Sequence, residues 1–288
     1  MEMNVSNTEE QVVAKKSGGL KPALIIPILF VVGLSIYWFI LGNTGNFSPD
    51  ARIDGASSVA FTDIERSELH PSGTLGIIYM GGVIIPVLIT FMLIVLVFAI
   101  ERAIMLKKAA GQGNLDEFVL NIRKLLNEGN IDEAMEECDK QRGTVGNVVK
   151  EGLTSYKALS HDTSMTKEQK MVALNKSIEE ATTLEMPMLE KNMMILSTLG
   201  TVATLVALLG TVMGMISAFS ALGEGGGTPD SAKLSVGISE ALINTALGIG
   251  TSAVAIIFYN YFTSKIDGLT FKIDEIAMSI QQSFAEHQ

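Results

Sequence analysis

Apolar residues run almost without interruption through four parts of the chain. Residues 22–49 include PALIIPILFVVGLSIYWFILG, and residues 71–100 include LGIIYMGGVIIPVLITFMLIVLVFAI. No charge occurs over 192–223 or over 241–264. The hydrocarbon core of a bilayer is ~30 Å thick and takes about 20 helical residues, so each stretch is long enough to cross. The pattern predicts membrane helices over 22–42, 75–100, 192–222 and 234–264. The first exceeds the ~7–15 residues of a secretory h-region and is followed by no A-x-A site, so it is expected to be retained. Tyr37 and Trp38 near its far end suit an interface between lipid and water. Pro27 and Pro86 lie inside apolar runs, where a proline is expected to kink the helix.

The polar segments carry a helical period. Leu115, Phe118, Val119, Ile122, Leu125 and Leu126 fall on one face, with Asn114 as cap, Asp116 and Glu117 at the positive end and Gly129 as stop. A second short helix, capped by Asn130, places Ile131, Ala134, Met135 and Cys138 together. The two make a hairpin with Cys138 as a small core residue. Thr166 and Gln169 form a capping box, and Met171, Leu174, Ile178, Ala181 and Leu184 continue the pattern. Only Pro187 interrupts it before the third span. One helix of about 55 residues, ~80 Å long, is expected there. Beyond the fourth span, Ile266, Leu269, Ile273, Ile276, Ile280 and Phe284 recur every three or four residues. This seam packs either within the chain or against another subunit.

Charge gives the orientation. Lys15, Lys16 and Lys21 precede the first span, and Arg102, Lys107 and Lys108 follow the second. Lys191 precedes the third, and Lys265 and Lys272 follow the fourth. The opposite side holds only Arg52, Arg66 and Lys233. The positive-inside rule puts both termini in the cytoplasm. Residues 1–21 are then a cytoplasmic tail, 43–74 a periplasmic segment, 101–191 a cytoplasmic helical domain, 223–233 a periplasmic loop and 265–288 a cytoplasmic tail. The expected fold is an all-α membrane protein with four transmembrane helices, long cytoplasmic helical extensions and a small cytoplasmic helical domain.

Composition narrows the function. The 288 residues are 48% hydrophobic, and the net charge of −10 comes mainly from the polar segments. An acidic balance of this kind argues against a nucleic-acid binder. One cysteine excludes an intrachain disulfide framework, and His70, His161 and His287 are too widely separated to suggest a metal site. The sequence GEGGG at 223–227 lacks the lysine and hydroxyl of a phosphate loop, and no nucleophile–base–acid set can be assembled. Neither an enzyme nor a cofactor is expected.

The informative residues are the polar ones inside the spans. Thr201, Thr204, Leu208, Thr211 and Met215 are spaced by three and four along the third span. Glu240, Asn244 and Thr251 form one stripe on the fourth, with Thr245 beside it. Thr211 and Thr245 each lie about 11 residues from the external end of their helix, ~16 Å deep. A short loop makes the helices antiparallel neighbours, so the two hydroxyls fall at matching depth. Such threonines either bond their own i−4 carbonyls and pack as small residues, or line a polar path. Glu240 is either an acceptor for a neighbouring helix near the interface or part of that path. Gly210 and Gly214 form G-x-x-x-G, and with Gly248 are expected in helix packing. No Asp, Lys, Arg or His lies deep in any span. A proton path would need a carrier or water chain beyond these residues, with a second chain as the natural source.

LLGTVMGMISAF (208–219) and GISEALINTALGIG (237–250) resemble the two signature segments of the MotA/TolQ/ExbB proton-channel family, ExbB most of all. ERAIML (101–106), GNLDEFVLNIRKLLNEGNIDEAMEEC (113–138) and LEKNMMILSTLGTVA (189–203) extend the likeness, which covers roughly residues 75–265. Two departures stand out. Family members often carry A-P-x-x-G where this chain has Ala203-Thr204-Leu205-Val206-Ala207, and a further N-terminal span precedes the usual three. The resemblance implies an inner-membrane homopentamer around two copies of an ExbD-like single-span partner that carries a membrane aspartate. It implies proton flow coupled, through a TonB-like protein, to outer-membrane transport. It assigns Thr211 and Thr245 to the pore lining and Glu240 to the proton path. A TolQ-like or MotA-like stator is the alternative within the family, and a non-transporting membrane scaffold the alternative outside it.

Overall fold

The computed structural model describes residues 22–48, 56–61, 65–224 and 230–287. The expected tail 1–21 and the middle of the loop 223–233 lie outside them. Among the described residues the chain is helical, with one isolated antiparallel bridge between Phe47 and Pro71. The helices are α1 (Pro22–Ser35), α2 (Thr74–Tyr79), α3 (Ile85–Ala109), α4 (Leu115–Asn127), α5 (Ile131–Gln141), α6 (Gly143–His161), α7 (Lys167–Glu190), α8 (Met193–Glu224) and α9 (Ser231–His287). Four of them are long and apolar enough to cross a membrane: Pro22–Leu41, Gly82–Ala109, Met193–Gly223 and Ser231–His287. The first finishes as a wider π-helical turn over Ile36–Leu41.

The second span departs from the expected 75–100. A short helix ends at Tyr79, the chain turns at Gly82 with φ 81°, and the long helix begins at Ile85. Only glycine adopts that φ without strain. Pro86 therefore falls in the first turn of α3, where its missing N–H costs nothing, and does not kink a span as expected. Pro27 is held within α1.

The expected helix of about 55 residues is two helices. Pro187 sits inside α7 without ending it. The break comes at Lys191, whose ψ is 136°, and Asn192, at φ 63°. Asparagine tolerates the left-handed region better than most residues. Packing fixes the break. Arg102, in the C-terminal part of α3, is fully buried. It donates to both carboxylate oxygens of Glu101, at 2.6 and 2.7 Å, and its Nη1 donates to the carbonyls of Leu189 and Met188, at 3.4 and 3.5 Å. Asn192 donates to Glu101 at 3.4 Å. One guanidinium thus satisfies carbonyls that the end of α7 leaves open.

Helices α4, α6 and α7 surround the C-terminal part of α9. Asn114 caps α4, and Thr166 with Gln169 forms the full capping box of α7. Asn130 precedes α5 but makes no capping bond. Helix α6, which the sequence reading passed over, buries Val145, Val148, Val149, Leu153 and Tyr156. The seam on α9 left open between chains is filled by this chain itself: Ile266, Leu269, Ile273, Ile276, Ile280 and Phe284 are all buried. Phe284 meets Tyr156 edge-on at 4.9 Å, and Ser283 donates to the Leu126 carbonyl at 3.1 Å.

Cys138 lies in this core, 2% exposed. Burial first, and the neighbouring Asp139 second, push its thiol up to about 12. The thiolate is the reactive form. At pH 8 the folded protein should resist maleimide over hours and label within minutes once unfolded in denaturant, as read by intact mass.

Candidate functional site

Helices α8 and α9 pack antiparallel along a line of small residues. Ala203, Ala207, Gly210, Gly214 and Ala218 are the buried positions on α8 through its apolar middle. The expected packing glycines all lie where the helices touch. A methyl added at Gly214 would stand 2.7 Å from both the Ala241 nitrogen and the Gly237 oxygen. One at Gly210 would meet the Asn244 amide at 2.7 Å, and one at Gly248 would overlap Ala207. The backbones are therefore in close approach, as small residues allow in membranes. Because the atoms facing Gly214 are backbone, Gly214→Val should force the helices apart. We expect a loss of about 1–3 kcal/mol, seen as a lower melting temperature of the detergent-solubilised protein.

That approach brings Thr211 and Thr245 together. Their hydroxyl oxygens are 2.5 Å apart. Each also lies within reach of a carbonyl one turn back: Thr211 is 3.1 Å from the Ala207 oxygen and Thr245 3.0 Å from that of Ala241, which is also 3.4 Å from Thr211. The two hydroxyls own two protons. One serves the shared contact and the other a backbone carbonyl, and either arrangement satisfies the pair. The pair is half-buried, whereas Thr201, Thr204 and Leu208 are exposed. The threonine face of α8 is thus split, with Thr211 at the helix contact and the others outside it.

The stripe on α9 is split as well. Asn244 is fully buried, and among the described residues neither polar atom of its amide has a hydrogen-bond partner. Such a group costs ~1–3 kcal/mol while unpaired. Its place over Gly210 was not legible, although an amide in an uncharged span was a visible signal. Thr251 is buried on a cavity of about 130 Å³ between α3 and α9, lined also by Leu88, Ile89, Met92, Leu93 and Leu247.

Glu240 stands apart from the hydroxyl pair. It is half-buried in the N-terminal part of α9, with its carboxylate at the Gly82 turn. Arg66 is its charged neighbour: a methyl built on Gly82 would overlap the Glu240 carboxylate and stand 2.9 Å from Arg66 Nη1. Beyond its place in the charge balance, the position of Arg66 was not legible, because the segment around it has no period. Among the described residues no cluster of three or more His, Cys, Asp or Glu side chains could hold a metal.

This arrangement has relatives. Residues 141–275 match the MotA/TolQ/ExbB proton channel family, a stretch that includes α8, most of α9 and both threonines. The biopolymer transport protein ExbB of Xanthomonas campestris is 31% identical over 112 residues, covering 39% of this chain and 44% of that protein. An ExbB homolog of Methanothermobacter thermautotrophicus is 25% identical over 206 residues, covering 71% of this chain and 68% of that protein. The Tol-Pal system protein TolQ of Pseudomonas aeruginosa is 29% identical over 128 residues, 43% of this chain and 54% of that protein. The chain spans less than half the length of the first curated relatives it matches. Its matched part nonetheless contains the helix pair, the hydroxyl contact and Glu240. Residues 141–275 of this chain are thus similar to the MotA/TolQ/ExbB proton channel family, and its likenesses run to ExbB and TolQ proteins.

Proposed function

We propose that this chain is the channel subunit of an inner-membrane motor of the ExbB–ExbD type. It carries protons with a partner and passes the work, through a TonB-like protein, to outer-membrane transport. Both termini and residues 101–191 face the cytoplasm, and the chain acts as a homo-oligomer, a pentamer by family resemblance. The observation that carries the reading is the Thr211–Thr245 contact, two hydroxyls 2.5 Å apart between membrane helices that have no charge at that depth. Hydroxyls can hold water or accept a partner's carboxyl group, but they do not themselves carry a charge across hydrocarbon. The missing carrier is a membrane aspartate on a single-span, ExbD-like protein. Exposure supports an oligomer: Leu205, Leu208, Leu209, Val212 and Ile216 of α8 are uncovered by this chain. In the membrane they meet lipid or another copy. Gly210, Gly214 and Gly248 hold the pair together, and Glu240 lies at its outer end.

A TolQ-like role is the second reading, and the likeness to TolQ of Pseudomonas aeruginosa favours it. The two differ in the protein that receives the work. The channel reading is tested in liposomes under an imposed pH gradient. The purified chain alone should pass few protons. Co-reconstitution with the single-span partner should give flux that disappears when the partner's membrane aspartate becomes asparagine. Strong flux from the chain alone would place the carrier within these 288 residues. No flux in either case would favour a scaffold.

A further inference from the structure

The first helix and the external segment build a second small core at the outer end of the protein. Tyr37, Leu41, Phe47, Val59, Leu69, Tyr79, Met80 and Ile85 are buried in it, with Val236, Ile243 and Leu247 of α9 packed against them. Tyr37 and Tyr79 stack at 4.7 Å, and Tyr37 donates to the Tyr79 carbonyl at 3.3 Å. Backbone bonds tie the segment down: Val59 donates to Gly42, Ser48 to His70 and Ser72 to Asn46, all within 2.9 Å. The turn Arg66–Glu68 is seated at the start of α9, where Glu65 approaches Lys233 at 3.9 Å and Leu69 is buried.

This seating delivers Arg66 to Glu240. The two side chains converge on the face of Gly82, whose left-handed backbone and missing Cβ leave room for the carboxylate. Opposite charges in a partly desolvated mouth attract more strongly than in open water. The hydrogen bonds of Thr211 and Thr245 run to each other and to backbone, and none of them reaches Glu240. Arg66 also lies outside the stretch matched by the family, 141–275.

We propose that Arg66 is the positioning residue for Glu240: it draws the carboxylate onto the Gly82 turn at the outer mouth, away from the Thr211–Thr245 hydroxyls, and so fixes where an ion entering from that side first meets the chain. The proposal deepens the ion-path reading above and rests on it for its functional consequence, but the placement itself can be tested without transport.

The test is a double-mutant cycle on the full chain, purified in detergent. Arg66→Ala should lower the melting temperature by about 2–4 °C when Glu240 is present, the size expected of a partly exposed charge pair. In a Glu240→Gln background the same change should cost less than about 1 °C, and Arg66→Lys should recover most of the loss. Equal losses in both backgrounds would overturn the proposal, since Arg66 would then be acting on the fold and not through Glu240. Should a variant fail to accumulate, Arg66→Cys with Glu240→Cys, in a chain with Cys138→Ser, gives a second measurement. A short bis-methanethiosulfonate reagent should join the two within one chain, as read by peptide mass, and no joined peptide would overturn the placement. In liposomes with the single-span partner, Arg66→Ala should reduce proton flux about tenfold, and should add nothing to Glu240→Gln. Thermal coupling without flux from any protein would sink the ion-path reading and leave the placement standing. Flux with no coupling would do the reverse.

Discussion

The Thr211→Val/Thr245→Val double variant should assemble at ordinary levels and lose proton conduction by about 10²-fold. Valine keeps the shape of threonine, so the close packing around Gly210 and Gly214 is preserved. The carbonyls of Ala207 and Ala241 keep their helical bonds when the hydroxyls go, so no buried acceptor is stranded. What disappears is the polar contact between α8 and α9 at 2.5 Å. Each ~1.4 kcal/mol added to the barrier is a tenfold loss, and a level of the path stripped of hydroxyls has nothing left to hold water or a partner carboxyl. Either single variant keeps one hydroxyl and should lose about tenfold. The measurement is flux in liposomes with the single-span partner, normalised to assembled complex. Undiminished flux in the double variant would remove both threonines from the path.

Arg102→Met should be the most destabilising single change outside the membrane pair. It leaves the Glu101 carboxylate buried without its counter-charge and removes the donor to the Leu189 and Met188 carbonyls. Breaking a buried pair from one side costs about 3–5 kcal/mol. For a chain of this size the melting temperature should fall by about 10 °C or more. Replacing both partners, with Glu101→Leu beside Arg102→Met, should cost less than Arg102→Met alone, since no charge is then stranded. A double variant less stable than the single one would mean that the guanidinium, and not the lone carboxylate, governs the site.

The periodic parts of the chain were legible. The four apolar runs, the caps at Asn114 and Thr166, and the α9 seam all follow from local spacing. Counting residues inward from the loop placed Thr211 and Thr245 at one level, because the helical rise is regular and the loop between the helices is short. The break at Asn192 was not legible. The apolar spacing runs through it, and the groups that hold it, Glu101 and Arg102, lie about 90 positions earlier in the chain. Nor was the turn at Gly82, since two glycines in an apolar run also suit an unbroken membrane helix. Arg66 was hidden for a different reason. Its segment has no repeating pattern, and its position is set by an isolated bridge, short turns and two stacked tyrosines. The α9 seam shows the converse limit: the spacing demanded a partner surface, but only the folded α4, α6 and α7 identify it as this chain's own.

The two helices of the membrane pair continue beyond their uncharged stretches in unlike ways. Helix α9 is unbroken for 57 residues, from Ser231 to His287, which makes a rod of ~85 Å. Its companion ends in a joint at Lys191–Asn192, pinned by a single guanidinium. Any tilt imposed on the pair within the bilayer therefore divides between a lever and an elbow. The lever carries the displacement, magnified by its length, to the far end of the polar helical bundle. The elbow lets α7 keep its own seat while that happens. A rotation of a few degrees about the level of Thr245 would sweep Phe284 through several ångströms, on the order of the width of a side chain. The polar helical bundle, filled around that rod, would move with it and so register mechanically what occurs at the hydroxyls.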